Sequence, residues 1–142
     1  MQLSEHFSLE EITRTSTGLP NEAPPRATDR LAELCASILE PVRAKWGPIR
    51  IDSGYRRREV NEKVGGAPGS QHCLGEAADI VPLEAGMDEV FDWIVRGSGL
   101  CFGQCIREDK GSRWIHVSLP RTGRPNNEAL VYDGRGYRPY AG

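Results

Sequence analysis

The stretch "GSQHCLGEAADIV", residues 69–81, decides how the rest of the chain is read. It sets a histidine, a glycine turn and an aspartate in close succession, in a chain with only three histidines. From Ala77 the pattern turns apolar and runs to Pro82, so "AADIVP" is predicted as a buried strand that the proline stops. Gly75 lets the chain reverse between His72 and Asp79, and Ala77 and Ala78 leave room beside them. Two readings compete. In one, His72 is a satisfied loop histidine and Asp79 a strand-edge acid; in the other, both grip one metal ion. An H-x6-D spacing arises by chance in many chains, so spacing alone does not choose.

Working outward, Ser8 followed by Glu11 reads as a capping box that opens a short helix. From Thr28 to Trp46 the apolar residues Leu31, Leu34, Cys35, Ile38, Val42 and Trp46 recur at helical spacing, with Pro41 expected to kink or split the helix. "GPIRIDSGYR" (47–56) predicts a short strand about Ile49–Asp52, and "RREVNEKVGG" a brief helix ended by Gly65 and Gly66. "MDEVFDWIVR" (87–96) reads as the second main helix. "FGQCIRE" and "RWIHVSL" flank "DKGS" as a β-hairpin, and "ALVYDGRGYRPY" offers another around Asp133-Gly134. Early helices and locally paired strands define an α+β class, a small antiparallel sheet packed with helices. At 142 residues the chain is expected to be one domain, 1–142, with residues 120–142 as a C-terminal extension whose role the sequence does not state.

A formal net charge of −2 supplies no general attraction to nucleic acid or anionic membranes, so neither is an expected partner. No run approaches the ~20 apolar residues that span a bilayer. "MQLSEHFSLEE" lacks the basic start and apolar core of a signal peptide, which predicts synthesis in the cytoplasm. The four cysteines form no C-x-x-C pair; reduced thiols are expected, with Cys35 buried at an apolar helical position. Cys73 adjoins His72, but sequence neighbours do not set their side chains face to face as a nucleophile and base require.

A hydrolytic zinc site uses three protein ligands and one open position. His72, Asp79 and the strand residue His116 can supply two nitrogens and one oxygen. The wider string decides between the readings: "SQHCLGEAAD" fits S-x-H-x-x-G-x-A-x-D at every fixed position, and "WIHVS" follows as W-[VI]-H-V-S. Together these resemble the zinc D-alanyl-D-alanine carboxypeptidase-like peptidases. That family includes vancomycin-resistance dipeptidases and phage L-alanyl-D-glutamate endopeptidases, and shares its fold with the hedgehog signalling domain. "DSGYRRREVN" is similar to the family's "SGYR…N" segment and "FGQCIRE" to its "FDQLI-x-E" strand, so the likeness runs from about Leu3 to Leu119.

The resemblance implies Zn2+ as cofactor, held by His72, Asp79 and His116. It makes Arg56 the candidate partner of an oxyanion or a substrate carboxylate, whereas Arg57 and Arg58 read as surface residues. Ser70 either hydrogen-bonds substrate backbone or caps the turn, and Trp114 either lines the cleft or packs beneath it. Relatives with an E-x-x-H strand carry a glutamate where this chain has Arg113. The general base therefore falls to Glu108, provided that it pairs with Trp114 and so shares a face with His116. The implied activity is zinc-dependent hydrolysis of peptidoglycan stem peptides, at L-Ala-D-Glu as an endopeptidase or at D-Ala-D-Ala as a carboxypeptidase. Arg113 favours an alternative, a non-catalytic cell-wall-binding module of a phage tail or secretion apparatus. A monomer acting at the wall, after release by a holin or secretion system, completes the expectation.

Overall fold

The computed structural model describes residues 1–141. Ser8 caps α1 (Leu9–Ile12), its hydroxyl accepting the backbone N–H of Glu11. Pro25, whose fixed φ suits a first helical position, opens α2 (Pro25–Leu34). The chain stays helical through α3 (Glu40–Trp46), and the expected disturbance at Pro41 takes a specific form. Residues Cys35–Leu39 widen into a π turn, with the Glu40 N–H bonded to the Cys35 carbonyl five residues back. Proline has no N–H to donate and its ring crowds the preceding turn, so a wider turn ahead of it relieves both problems.

The remaining elements are β1 (Ile49–Ser53), α4 (Arg58–Lys63), β2 (Ala77–Pro82), α5 (Met87–Asp92), β3 (Gln104–Asp109), β4 (Arg113–Ser118), β5 (Glu128–Tyr132) and β6 (Tyr137–Pro139). The six strands form one sheet in the order β1-β2-β4-β3-β5-β6. Every pairing is antiparallel except β3 with β5, which is parallel where a wholly antiparallel sheet was expected. The cause is where the chain leaves β4. Ser118 ends that strand against the start of β3, where the Gly103 N–H donates to the Ser118 carbonyl. The following loop stays at that end: the Asn127 N–H donates to the Phe102 carbonyl and the Glu128 N–H to that of Gly103. Entering from the end where β3 begins, β5 has to run the same way. Residues 120–139 therefore extend the sheet beyond β3, and Tyr140 anchors the tail by packing on Phe91 and donating its hydroxyl to Asp92.

Register assigns the two faces different tasks, because directly paired side chains share a face and alternate along each strand. Ile51, Ala78, Ile80, Cys105, Ile115, Val117 and Val131 join Leu31, Leu34, Ile38, Leu39, Val42, Val90 and Phe91 in the core. The opposite face carries polar residues in rows. Ser53, Asp79, His116 and Ile106 stand in one row across β1, β2, β4 and β3. Trp114, Glu108, Tyr132 and Tyr137 form the next across β4, β3, β5 and β6. A bulge in β1 after Ile51 sets Ser53 opposite Asp79; regular pairing would have set it opposite Ala78 and turned it to the core.

Candidate metal centre

His72 lies on a 3-10 turn, Gln71–Leu74, that Ser70 caps with its hydroxyl and Gly75 ends in the left-handed conformation. Gly75 is required twice over: φ is +75°, and a Cβ there would stand 2.4 Å from the Ala27 carbonyl oxygen. The His72 Nδ1–H donates to the Gly54 carbonyl at 2.7 Å, while the His72 carbonyl accepts the Arg56 N–H. Gly54 itself has no room for a side chain, since a Cβ would meet the Ile12 carbonyl oxygen at 2.3 Å. The ring is thereby fixed with Nε2 toward Asp79, the arrangement by which a second hydrogen bond orients a metal-binding imidazole.

Three donor atoms converge. Asp79 Oδ1 lies 3.4 Å from His72 Nε2 and 3.0 Å from His116 Nδ1. With metal–ligand bonds of about 2.0–2.2 Å, two ligands of a tetrahedral zinc stand roughly 3.4 Å apart. The set therefore has zinc-like spacing, and the three ligand atoms all lie within 4.8 Å of one another. His72 is 3% and Asp79 7% exposed. Burial alone would push the Asp79 carboxyl up; the charge of His72, with hydrogen bonds and charge from both imidazoles, outweighs it and holds the acid far below the ordinary carboxylate range. A buried carboxylate facing two imidazoles is the donor set that a borderline divalent cation takes.

Arg56 stands behind the carboxylate. Its Nε donates to Ser53 Oγ, Nη1 to Asn61 Oδ1 and Nη2 to Asp79 Oδ2 at 3.3 Å. A cavity of about 130 Å3 opens beside it, lined in part by Arg14, Ser16, Tyr55 and Val60. Glu108 pairs with Trp114 and Ile106 with His116, the register that sets Glu108 on the face of His116. Glu108 is 7% exposed. Trp114 donates its indole Nε1–H to Glu108 Oε2 at 3.2 Å.

A profile of the peptidase M15 family matches residues 5–118. The chain belongs to the peptidase M15 family. A search of the curated proteins finds no match. The M15 match contains His72, Asp79, His116, Arg56, Ser70, Glu108 and Trp114, and ends before β5 and β6.

Within this M15 chain, the Ser70 hydroxyl accepts the His72 N–H at 3.2 Å and so caps the turn, with its own O–H left to donate. Arg113 lies outside the site. It pairs with Asp109, three residues before His116 and hence on the opposite face, and its guanidinium bonds Asp88 of α5. The four cysteines are all unpaired. Burial pushes the Cys73 thiol up despite the charge of Arg56, which suits a packing residue rather than a nucleophile. Two further side chains join the site, Asn61 and Tyr137. Asn61 accepts from Arg56 and donates to the Ala67 carbonyl; the asparagine closing "DSGYRRREVN" was its only signal. Tyr137 donates its hydroxyl to Glu108 Oε1 at 3.1 Å from a strand beyond the matched segment, and nothing local in the sequence points to it. Burial, then the charge of Glu108, pushes that phenol up to about 12, so at neutral pH it is a donor.

Proposed function

We propose that the chain is a zinc metallopeptidase that hydrolyses peptidoglycan stem peptides, with L-Ala-D-Glu endopeptidase cleavage as the first expectation and D-Ala-D-Ala carboxypeptidase cleavage as the second. The observation that carries this reading is the convergence of His72 Nε2, Asp79 Oδ1 and His116 Nδ1 at zinc-like spacing in a chain of the peptidase M15 family. Zinc held by these three residues would supply Lewis acidity, acidifying water and polarising the scissile carbonyl. Glu108 accepts the proton that the attacking water gives up and passes it to the leaving amine. Arg56 commits three N–H groups to Ser53, Asn61 and Asp79, which leaves two of its five for an oxyanion or a substrate carboxylate. D-residue peptides with free carboxylates suit a pocket that sets Arg14 and Arg56 against one acid, Asp52. Ser70 and Trp114 line the approach while holding His72 and Glu108 in place.

The binding-module alternative rests on Arg113 standing where some relatives carry a glutamate; Glu108, paired with Trp114 on the face of His116, supplies a carboxylate in its place. The site of action is the cell wall, reached through a holin or a secretion route, with the protein as a monomer. Among the described residues, no helix is long and apolar enough to cross a membrane. Muropeptides incubated with the protein, with and without chelator, and analysed by mass spectrometry test the proposal. Chelator-sensitive products carrying a new L-alanine or D-alanine terminus support it; no product at full zinc occupancy rejects it in favour of a binding module.

A further inference from the structure

The strongest feature that this mechanism has not used is the β5–β6 hairpin, which lies outside the family match yet reaches the site. Tyr132 faces Glu108 across β3 and β5, and Tyr137 faces Tyr132 across β5 and β6. The two rings pack at a centroid distance of 4.8 Å, and that contact aims the Tyr137 hydroxyl back over Tyr132 to the carboxylate. Glu108 is thus held from both sides, by the Trp114 indole on Oε2 and the Tyr137 phenol on Oε1. Lys110 Nζ stands 3.9 Å from Oε1, beyond hydrogen-bond reach, and lies over the Tyr132 ring.

The two partners differ chemically. An indole N–H only donates, whereas a phenol both donates and accepts. We propose that Tyr137 is a positioning residue for Glu108, and that it makes Oε1 the oxygen that carries the proton during turnover. This rests on the reading of Glu108 as the base. While Glu108 is ionised, the phenol O–H donates to Oε1. When Oε1 takes the proton from water, its new O–H donates to the phenol oxygen, whose own O–H rotates away. Oε2 remains an acceptor for the indole throughout. When the proton passes to the leaving amine nitrogen, the phenol turns back. Proton count and charge balance at each stage, and no residue other than Glu108 changes its protonation. The clamp holds the carboxylate in one orientation in both states, because a phenol can donate to the ionised oxygen and accept from the protonated one.

Tyr137→Phe removes the hydroxyl and keeps the ring on Tyr132. The expected result is a slightly lower melting temperature, an unchanged KM and a kcat lower by about tenfold, less than the roughly 10²–10⁴-fold that a general base contributes. A second readout needs neither substrate nor zinc. The Trp114 indole N–H resonance, assigned by its loss in Trp114→Phe, shifts in Tyr137→Phe because its acceptor is released, while those of Trp46 and Trp93 stay in place. A Tyr137→Phe protein with full kcat and an unmoved Trp114 resonance overturns the clamp alone, provided that Glu108→Ala abolishes turnover. Unchanged turnover in Glu108→Ala overturns the base assignment, and the clamp with it.

Discussion

Gly75→Ala tests whether the turn after His72 is fixed by space as well as by backbone conformation. Gly69 supplies the control, because it has nearly the same φ, +77° against +75°, but nothing within 4 Å of an added Cβ. At Gly69 an alanine meets only the left-handed penalty, about 1–2 kcal/mol. At Gly75 the added carbon also stands 2.4 Å from the Ala27 carbonyl oxygen, a backbone atom at the buried start of α2 that cannot swing aside. Overpacking of that kind adds about 1–3 kcal/mol, so Gly75→Ala should lose about 2–5 kcal/mol in all. Urea denaturation of the metal-free protein compares the two variants, with Gly69→Ala expected to move the midpoint least. Because the 3-10 turn carrying His72 must shift to clear α2, Gly75→Ala should also weaken zinc binding in a competition titration, whereas Gly69→Ala should not. Equal destabilisation by the two substitutions, or wild-type zinc affinity in Gly75→Ala, would refute the view that this contact places His72.

Thiol reactivity should follow burial. Iodoacetamide and mass spectrometry under native conditions should modify exposed Cys101 first and half-buried Cys73 more slowly. Cys35, whose burial pushes the thiol up to about 12, and Cys105, also raised by burial, should react only on unfolding. Arg113→Ala should keep full peptidase turnover and lose no more than about 1 kcal/mol in denaturant titrations, because its bond to Asp88 is a largely exposed ion pair on the far face. A large loss of turnover in Arg113→Ala would return that residue to the site.

The parts of the structure that could be read from sequence are those set by local pattern. Apolar β2 stopped by Pro82, the helical stripe from Leu31 to Val42 and the Ser8 cap all depend on neighbours in the chain, and all are present. The placement of Glu108 is also local: the turn after Asp109, with Gly111 at φ +91°, sets Asp109 opposite Arg113 and Glu108 opposite Trp114. What could not be read depends on contacts between distant segments. The parallel strand β5 has the same apolar alternation that an antiparallel one would have, and only the chain's position after Ser118 fixes its direction. The β1 bulge that turns Ser53 toward Arg56 leaves no mark on strand period. The resemblance assigns Arg56 to an oxyanion or a substrate carboxylate, and part of its guanidinium also braces Asp79, a bond that forms only once the loop after β1 folds over β2. The π turn before Pro41 follows from missing hydrogen-bond capacity, a feature that hydrophobic periodicity does not record.

Zinc stoichiometry of the purified chain, measured by elemental analysis after removal of loosely bound ions, bears most directly on the three converging side chains. One equivalent of zinc in the wild type, and none above background in a His72→Ala, Asp79→Ala or His116→Ala protein that remains folded, is the predicted result. A wild-type chain that retains no zinc at saturating concentration, or single variants that bind it as tightly as the wild type, would contradict it.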